Sequence, residues 1–145
     1  MGLNVELLRS SFELVLEREP TLTHRFYGIL FTKYPQVKPL FGKNSGEHQE
    51  KMLAGALVAV MDHLEDASWL EETLTAMGAK HLDYGVKDEM YPYVGDALIT
   101  AMSQVAGANW TEEHTAQWSA AYGAITSLML KGAHARVAAD APAAE

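Results

Sequence analysis

The sequence contains no cysteine. Disulfides, thiolate nucleophiles, zinc–sulfur sites and covalent cofactor attachment through C-x-x-C-H are therefore excluded. Basic residues are scarce as well: 11 Lys and Arg against 19 Asp and Glu leave a net charge of −8. Nucleic acid and anionic membrane surfaces are bound chiefly by clustered Lys and Arg, so neither is an expected partner. The longest apolar run, "MLAGALVAVM" (Met52–Met61), is far shorter than the ~20 residues a membrane span needs. The opening "MGLNVELLRSSFELVLEREP" mixes acids and bases among its apolar residues, unlike a secretory signal. Glu6 stands where a myristoylation signal has Ser or Thr. A soluble, cytoplasmic protein is the expectation. Strand-like alternation never extends beyond a few residues, and β-branched residues are scattered.

Helical periodicity, by contrast, runs through the chain. At 145 residues, almost half apolar and about a fifth charged, it is one domain with room for a real core. Asn4 can cap a first helix whose inner stripe is Leu7, Leu8, Phe12, Leu14 and Val15. Pro20 suits the first turn of a second, with Phe26, Tyr27, Leu30 and Phe31 inward. Pro35 ends it and opens the turn "PQVKPLF", closed by Phe41. "GKNSG" (Gly42–Gly46) is the clearest loop. A third helix carries Leu53, Leu57, Val60 and Leu64. Ser68 and Glu71 make a capping box for the fourth, where Leu70, Leu74 and Met77 lead to His81 and Gly85 marks the end. Val94, Leu98, Met102 and Val105 stripe a fifth, stopped by Gly107. Thr111 opens the last, striped by Trp118, Tyr122, Ile125 and Met129. Residues 1–136 form the expected domain, with a small, polar tail over 137–145 expected to fray. Six or seven helices of mixed length suit an irregular all-α fold better than a four-helix bundle.

The six histidines match no common metal or hydrolase signature. There is no H-E-x-x-H, no His has Glu three residues before or four after it, and no G-x-S-x-G elbow presents a nucleophile. His24, His63 and His114 are expected at the surface without a role. His81, taken alone, is no more than a half-buried structural histidine. Its surroundings make it more. Gln49 lies one helical turn before Leu53 on the third helix, and His81 follows Gln49 by 32 residues, one helix–loop–helix later. A flat apolar cofactor between those helices would meet His81 on one side and Tyr27, Gln49 and Leu53 on the other.

At these residues the chain resembles the globin family over nearly its whole length. "LTHRFYGILFTKYPQVKPLF" (Leu22–Phe41) is similar to the second and third helices of bacterial globins. "KHLDYGVKDEMYPYVGDALI" (Lys80–Ile99) is similar to their proximal histidine and following helix, and "WSAAYG" (Trp118–Gly123) to the start of their last helix. Three motifs in order with matching spacing make the likeness specific. Single-domain bacterial haemoglobins and the globin half of flavohaemoglobins are the relatives it implies.

The resemblance implies a globin fold of six to eight helices around a haem pocket, holding non-covalent haem b. It makes His81 the proximal iron ligand, with its other ring nitrogen donating to the carbonyl one turn back, near Met77. Phe41 would stack on the porphyrin, Leu53 and Val94 would be apolar walls, and Phe31, Tyr91 and Tyr122 would complete the cofactor's surroundings. Tyr27 and Gln49 match the distal pair that hydrogen-bonds a diatomic ligand. A one-residue shift of that helix would instead set His48 over the iron. Tyr91 also matches a tyrosine that joins the proximal histidine to a glutamate in flavohaemoglobins, but here the glutamate position falls at Ala135.

Two functions follow from the likeness. The first is reversible binding of O2 and related diatomics such as NO or CO, for storage or transport. The second is nitric oxide dioxygenase activity with a separate reductase restoring ferrous iron, which leaves enzyme status open. The missing reductase half and the absent proximal carboxylate favour the first. A haem-free helical interaction module is a third reading, from another class.

Overall fold

The computed structural model describes residues 3–41 and 46–140, apart from the side chains of Phe41 and residues 138–140. Six α-helices follow one another: α1 (Val5–Arg18), α2 (Leu22–Lys33), α3 (Gly46–Asp62), α4 (Ala67–Asp83), α5 (Tyr91–Ala106) and α6 (Glu112–Asp140). Short 3-10 turns at Pro35–Phe41, Asp88–Met90 and Gly107–Asn109 fill three of the connections. No strand occurs among the described residues. Of the expected loop Gly42–Gly46, residues 42–45 lie outside them, and Gly46 already belongs to α3. α6 continues to Asp140, four residues into the stretch expected to fray, and 141–145 also lie outside the described residues.

Most helix ends obey their local chemistry. The Asn4 side chain accepts from the Leu7 amide and satisfies an orphan donor of the first turn. Thr111 Oγ1 accepts from the amide of His114 at the start of α6. Two starts differ from expectation. Pro20 precedes α2 rather than sitting in its first turn, because the helix begins only at Leu22. The cap of α4 is Asp66, whose carboxylate accepts from the Trp69 amide at 3.1 Å; Ser68 is already inside the helix. A carboxylate at a helix N-terminus also meets the positive end of the backbone dipole, so Asp66 outcompetes a hydroxyl two residues later.

The core gathers Leu8, Phe12 and Val15 of α1, Phe26 and Leu30 of α2, Leu98 and Met102 of α5, and Trp118 of α6. Trp118 Nε1 donates to Ser11 Oγ at 2.9 Å, so the one polar atom of the indole is satisfied inside. Arg18 reaches the end of α5, donating to the Ala106 carbonyl at 2.8 Å. α2 packs chiefly on α5, and α4 most extensively on α6.

The α4–α6 crossing is a backbone contact. A Cβ at Gly78 would run into the main-chain carbonyl of Met129, and a Cβ at Gly132 would run into that of Thr75. The two glycines face each other's helix, so each removes the side chain that would separate the axes. Gly78→Ala and Gly132→Ala should each destabilise the fold by about 1–3 kcal/mol or more through overpacking. Gly123→Ala, with nothing within 4 Å of its Cβ, should instead stabilise α6 by about 0.5–1 kcal/mol. Thermal unfolding of the three variants measures the contrast. Equal melting temperatures would refute the close crossing.

Candidate functional site

His81 sits in the last turn of α4, one turn beyond Gly78. The helix stops there for a local reason. The Val86 amide donates back to the His81 carbonyl and the Gly85 amide to that of Leu82, each at 3.0 Å. Gly85 takes φ of +94°, a conformation that costs a residue with a Cβ. The imidazole is thus carried at a fixed helix end. Its Nδ1 lies 2.7 Å from the Met77 carbonyl oxygen. A carbonyl can only accept, so Nδ1 donates to it, and in the neutral ring this tautomer leaves the lone pair on Nε2. That is the state in which an imidazole can bind a metal. Its ring is 6.1 Å from that of Tyr84, which is 60% exposed.

α2 divides its apolar residues between two environments. Phe26 and Leu30 are buried in the core, whereas Tyr27 and Phe31 are only half-buried and stack on each other at 5.7 Å. A hydrogen bond joins the Tyr27 phenol to the Gln49 amide. Burial, chiefly, and the nearby Glu50 carboxylate push the phenol above its ordinary pKa, against the effect of Gln49. Tyr27 therefore remains a neutral donor. His48, next to Gln49, is exposed. Leu53 and Leu57 continue along α3 as half-buried apolar residues, as does Val94 on α5. α3 packs chiefly on α2, while α4 packs on α6. The site's two polar centres, His81 and the Tyr27–Gln49 pair, thus belong to separate helix pairs.

The other expected residues are placed differently from one another. The Phe41 side chain lies outside the described residues. Tyr122 is engaged in the α5–α6 contact: its hydroxyl donates to the Tyr91 carbonyl at 2.6 Å, and a Cβ at Gly95 would come within 2.7 Å of its ring. Tyr91 is buried, and its hydroxyl has no hydrogen-bond partner among the described residues. Ala135 is exposed. Its neighbours tie α6 to the segment after α4, His134 to Asp88 at 2.8 Å and Arg136 to Asp83 at 3.2 Å.

Two histidines expected to be idle at the surface are half-buried instead. His63 stacks on Trp69 at 3.8 Å with its Nδ1 2.8 Å from the Ala59 carbonyl, and His114 Nδ1 accepts from the Thr111 amide at 3.1 Å. His24 is exposed as expected, but it pairs with Glu50 at 2.8 Å. No spacing in the sequence connects residues on two helices in this way.

A family model for globins matches residues 24–129. The chain is therefore a member of the globin family. It is 31% identical over 128 residues to a flavohemoprotein of Bacillus thuringiensis, covering 87% of this chain and 31% of that protein. Over 129 residues it is 33% identical to a flavohemoprotein of Rhodopirellula baltica, again with 87% and 31% covered. The chain thus spans about a third of the length of these relatives. Among solved structures, a bacterial globin from Campylobacter jejuni superposes with a TM-score of 0.75 at 29% identity, covering 90% of this chain and 94% of that one. An engineered carbene transferase from Rhodothermus marinus superposes with a TM-score of 0.81 at 27% identity, covering 93% and 94%. The likeness extends through the whole helical array, and no described helix is long and apolar enough to cross a membrane.

The buried phenols have a consequence at high pH. Burial raises Tyr27 and Tyr122 above the ordinary value of 10.0 in the fold, so the unfolded chain loses these protons first. Their contribution is fully present below pH 10 and declines as pH rises through the folded-state values, by up to about 1.4 kcal/mol per pH unit for each group. Tyr27→Phe should make the alkaline fall of unfolding free energy shallower, as read from denaturant titrations between pH 9 and about 11.5. An unaltered slope would remove Tyr27 from the set of shifted phenols.

Proposed function

We propose that this globin holds one non-covalent haem b through His81 Nε2 and binds O2 and related diatomic ligands reversibly. The observation that carries this reading is the pairing of two features on separate helix pairs. His81 keeps Nε2 available because Nδ1 is committed to Met77, and Tyr27 and Gln49 meet in a hydrogen-bonded pair on the α2–α3 side. Among the described residues no three His, Cys, Asp or Glu side chains gather to hold a metal. A single imidazole suits a metal whose remaining ligands come from a cofactor. Leu53, Leu57, Phe31 and Val94 supply half-buried apolar surface of the kind a porphyrin needs.

When bound, haem supplies a ferrous centre for a diatomic ligand. The chain's own residues do the rest. His81 is oriented by the Met77 carbonyl. Tyr27, kept protonated by its surroundings, and the Gln49 amide offer hydrogen bonds to a ligand that carries partial negative charge, which O2 does and CO does much less. The apolar residues around them limit water. Such donors favour retention of O2.

A second reading is removal of nitric oxide with electrons from a separate reductase. Its support is the likeness to flavohemoproteins and to a Rhodothermus marinus protein described as a candidate nitric oxide dioxygenase. Against it stand the exposed Ala135 and the Tyr91 hydroxyl, which has no hydrogen-bond partner among the described residues, so that neither offers a carboxylate relay to His81.

Purified protein should show a strong Soret band, lost or transformed in His81→Ala. Absence of the band in the parent would refute haem binding. Tyr27→Phe should speed O2 dissociation roughly ten- to a hundredfold, the scale of one good hydrogen bond to a charged acceptor. A rate equal to the parent's would remove Tyr27 from the distal site. Adding nitric oxide to the oxygenated form separates the two readings, since sustained nitrate production with a reductase favours the second.

A further inference from the structure

We propose that Tyr34 is a one-electron relay, passing an electron along the aromatic face of α2 to the haem pocket and handing its phenolic proton to Asp96. The inference rests on the haem-binding reading above, which supplies its oxidant. Tyr27, Phe31 and Tyr34 stand at steps of four and three residues, which puts them on one face of α2. Tyr27, in the distal pair, stacks on Phe31 at 5.7 Å. Tyr34 closes the helix, its amide donating to the Leu30 carbonyl at 2.7 Å. Its ring stacks on that of Tyr93 at 4.3 Å, with 14° between the planes. Tyr93 directly precedes Val94, one of the half-buried apolar residues assigned to the pocket. Rings therefore lead along α2 from the distal pair to the helix end, where α5 backs the last of them with another.

An aromatic stripe by itself is ordinary packing; the acceptor of the Tyr34 proton makes the difference. A phenol gives up an electron readily when its proton has somewhere to go, because an oxidised phenol is a strong acid. Tyr34 Oη donates to Asp96 Oδ2 at 2.7 Å, and Lys33 Nζ donates to the same oxygen at 2.7 Å. Lys33 first, and the Tyr34 hydroxyl second, hold the Asp96 carboxyl below its ordinary range, so it is ionised and open to a proton. Even a carboxylate of lowered basicity takes a proton from an oxidised phenol. Elsewhere the phenols meet neutral groups, Tyr27 the Gln49 amide and Tyr122 the Tyr91 carbonyl at 2.6 Å.

The step balances within the site. Tyr34 is the reductant, and haem oxidised by a peroxide, itself reduced to water, is the oxidant. One electron leaves the Tyr34 ring, its O–H bond breaks, and an O–H bond forms at Asp96 Oδ2, leaving a neutral phenoxyl radical. The Lys33 and Asp96 side chains are 45% and 40% exposed. A one-electron reductant in solution, such as ascorbate, can thus return the electron while the proton goes back to Tyr34.

The test uses the full chain with haem bound and compares the parent with Tyr34→Phe and Asp96→Asn. Mixed with hydrogen peroxide and frozen, the parent should show a tyrosyl radical by electron paramagnetic resonance. Tyr34→Phe keeps the ring and its stacking but should lose most of that signal. Asp96→Asn, whose amide takes up no proton, should lower it several-fold. A second oxidant acts without haem: photogenerated tris(bipyridine)ruthenium(III) withdraws one electron from tyrosines it reaches. With it, mass spectrometry should find half-buried Tyr34 modified ahead of Tyr84, which is 60% exposed, and Asp96→Asn should reverse that order. A carboxylate that served only stability would lower the melting temperature of Asp96→Asn without changing the radical yield or the order, and that result overturns the relay. An undiminished signal in Tyr34→Phe overturns it too, as does Tyr84 modified first in the parent. A parent with no Soret band is a different failure, because it removes the haem reading and the relay's oxidant with it.

Discussion

The reciprocal glycine contact between α4 and α6 is the constraint on which the site depends. Gly78 and Gly132 let two helices meet at backbone distance, and α4·α6 is the most extensive packing in the molecule. His81 lies one turn beyond Gly78, so the position of its imidazole is referred to the longest helix of the fold. The chain then has to end α4 without disturbing that reference. Gly85 does so with a positive φ, and the Val86 and Gly85 amides close the last carbonyls. A lone pair on Nε2 is of use only if it is held still. Crossing, helix end and Met77 carbonyl together hold it.

The opposite side is built on another principle. Among the described residues, those of α3 that are fully buried, Val60 and Met61, lie in its last turn; Leu53 and Leu57 are half-buried against the core, and polar contacts with α2 add to them near the start of the helix. Hydrogen bonds are directional and modest in net energy, whereas packing is strong and non-directional. Under the proposed function, a site whose ligating group rests on a backbone contact and whose distal groups rest largely on polar contacts fixes the first firmly and leaves the second adjustable. On that reading, mutations in α4–α6 act on cofactor retention, and mutations between α2 and α3 act on ligand kinetics.

What the sequence revealed follows the range of each interaction. Asn4, Gly85 and Gly107 act within one helical turn of themselves, and their effects are readable locally. The Met77 partner of His81 is likewise one turn away. The cap of α4 is ambiguous in the sequence because Ser68–Glu71 and Asp66 both satisfy a local pattern, and only the entry path of the backbone chooses between them. Gly78 and Gly132 resemble weak points in helical runs until the partner helix is seen. His24 and Glu50 lie 26 residues apart on different helices, so no periodicity links them. Gln49 was picked out beside His81 by spacing, but its pairing with Tyr27 needed the resemblance to a family.

The proximal side carries the argument about chemistry furthest. His81 donates to a carbonyl, a neutral acceptor, rather than to a carboxylate. A carboxylate partner would share the imidazole proton and make the ring a stronger electron donor; a carbonyl does so much less. The carboxylates in this region are spent on other contacts, Asp88 on His134 and Asp83 on Arg136. Both pairs are exposed; one binds the last part of α6 to the end of α4 and the other to the turn that follows it. Where a relay would need a charged group facing His81, this chain uses its charges to fasten two helix ends together. Strong electron donation favours breaking the O–O bond, while a weaker donor leaves bound O2 intact. Under the proposed function, a carbonyl-held imidazole on one helix pair and two hydrogen-bond donors on another therefore make an arrangement that retains a ligand more readily than it transforms one.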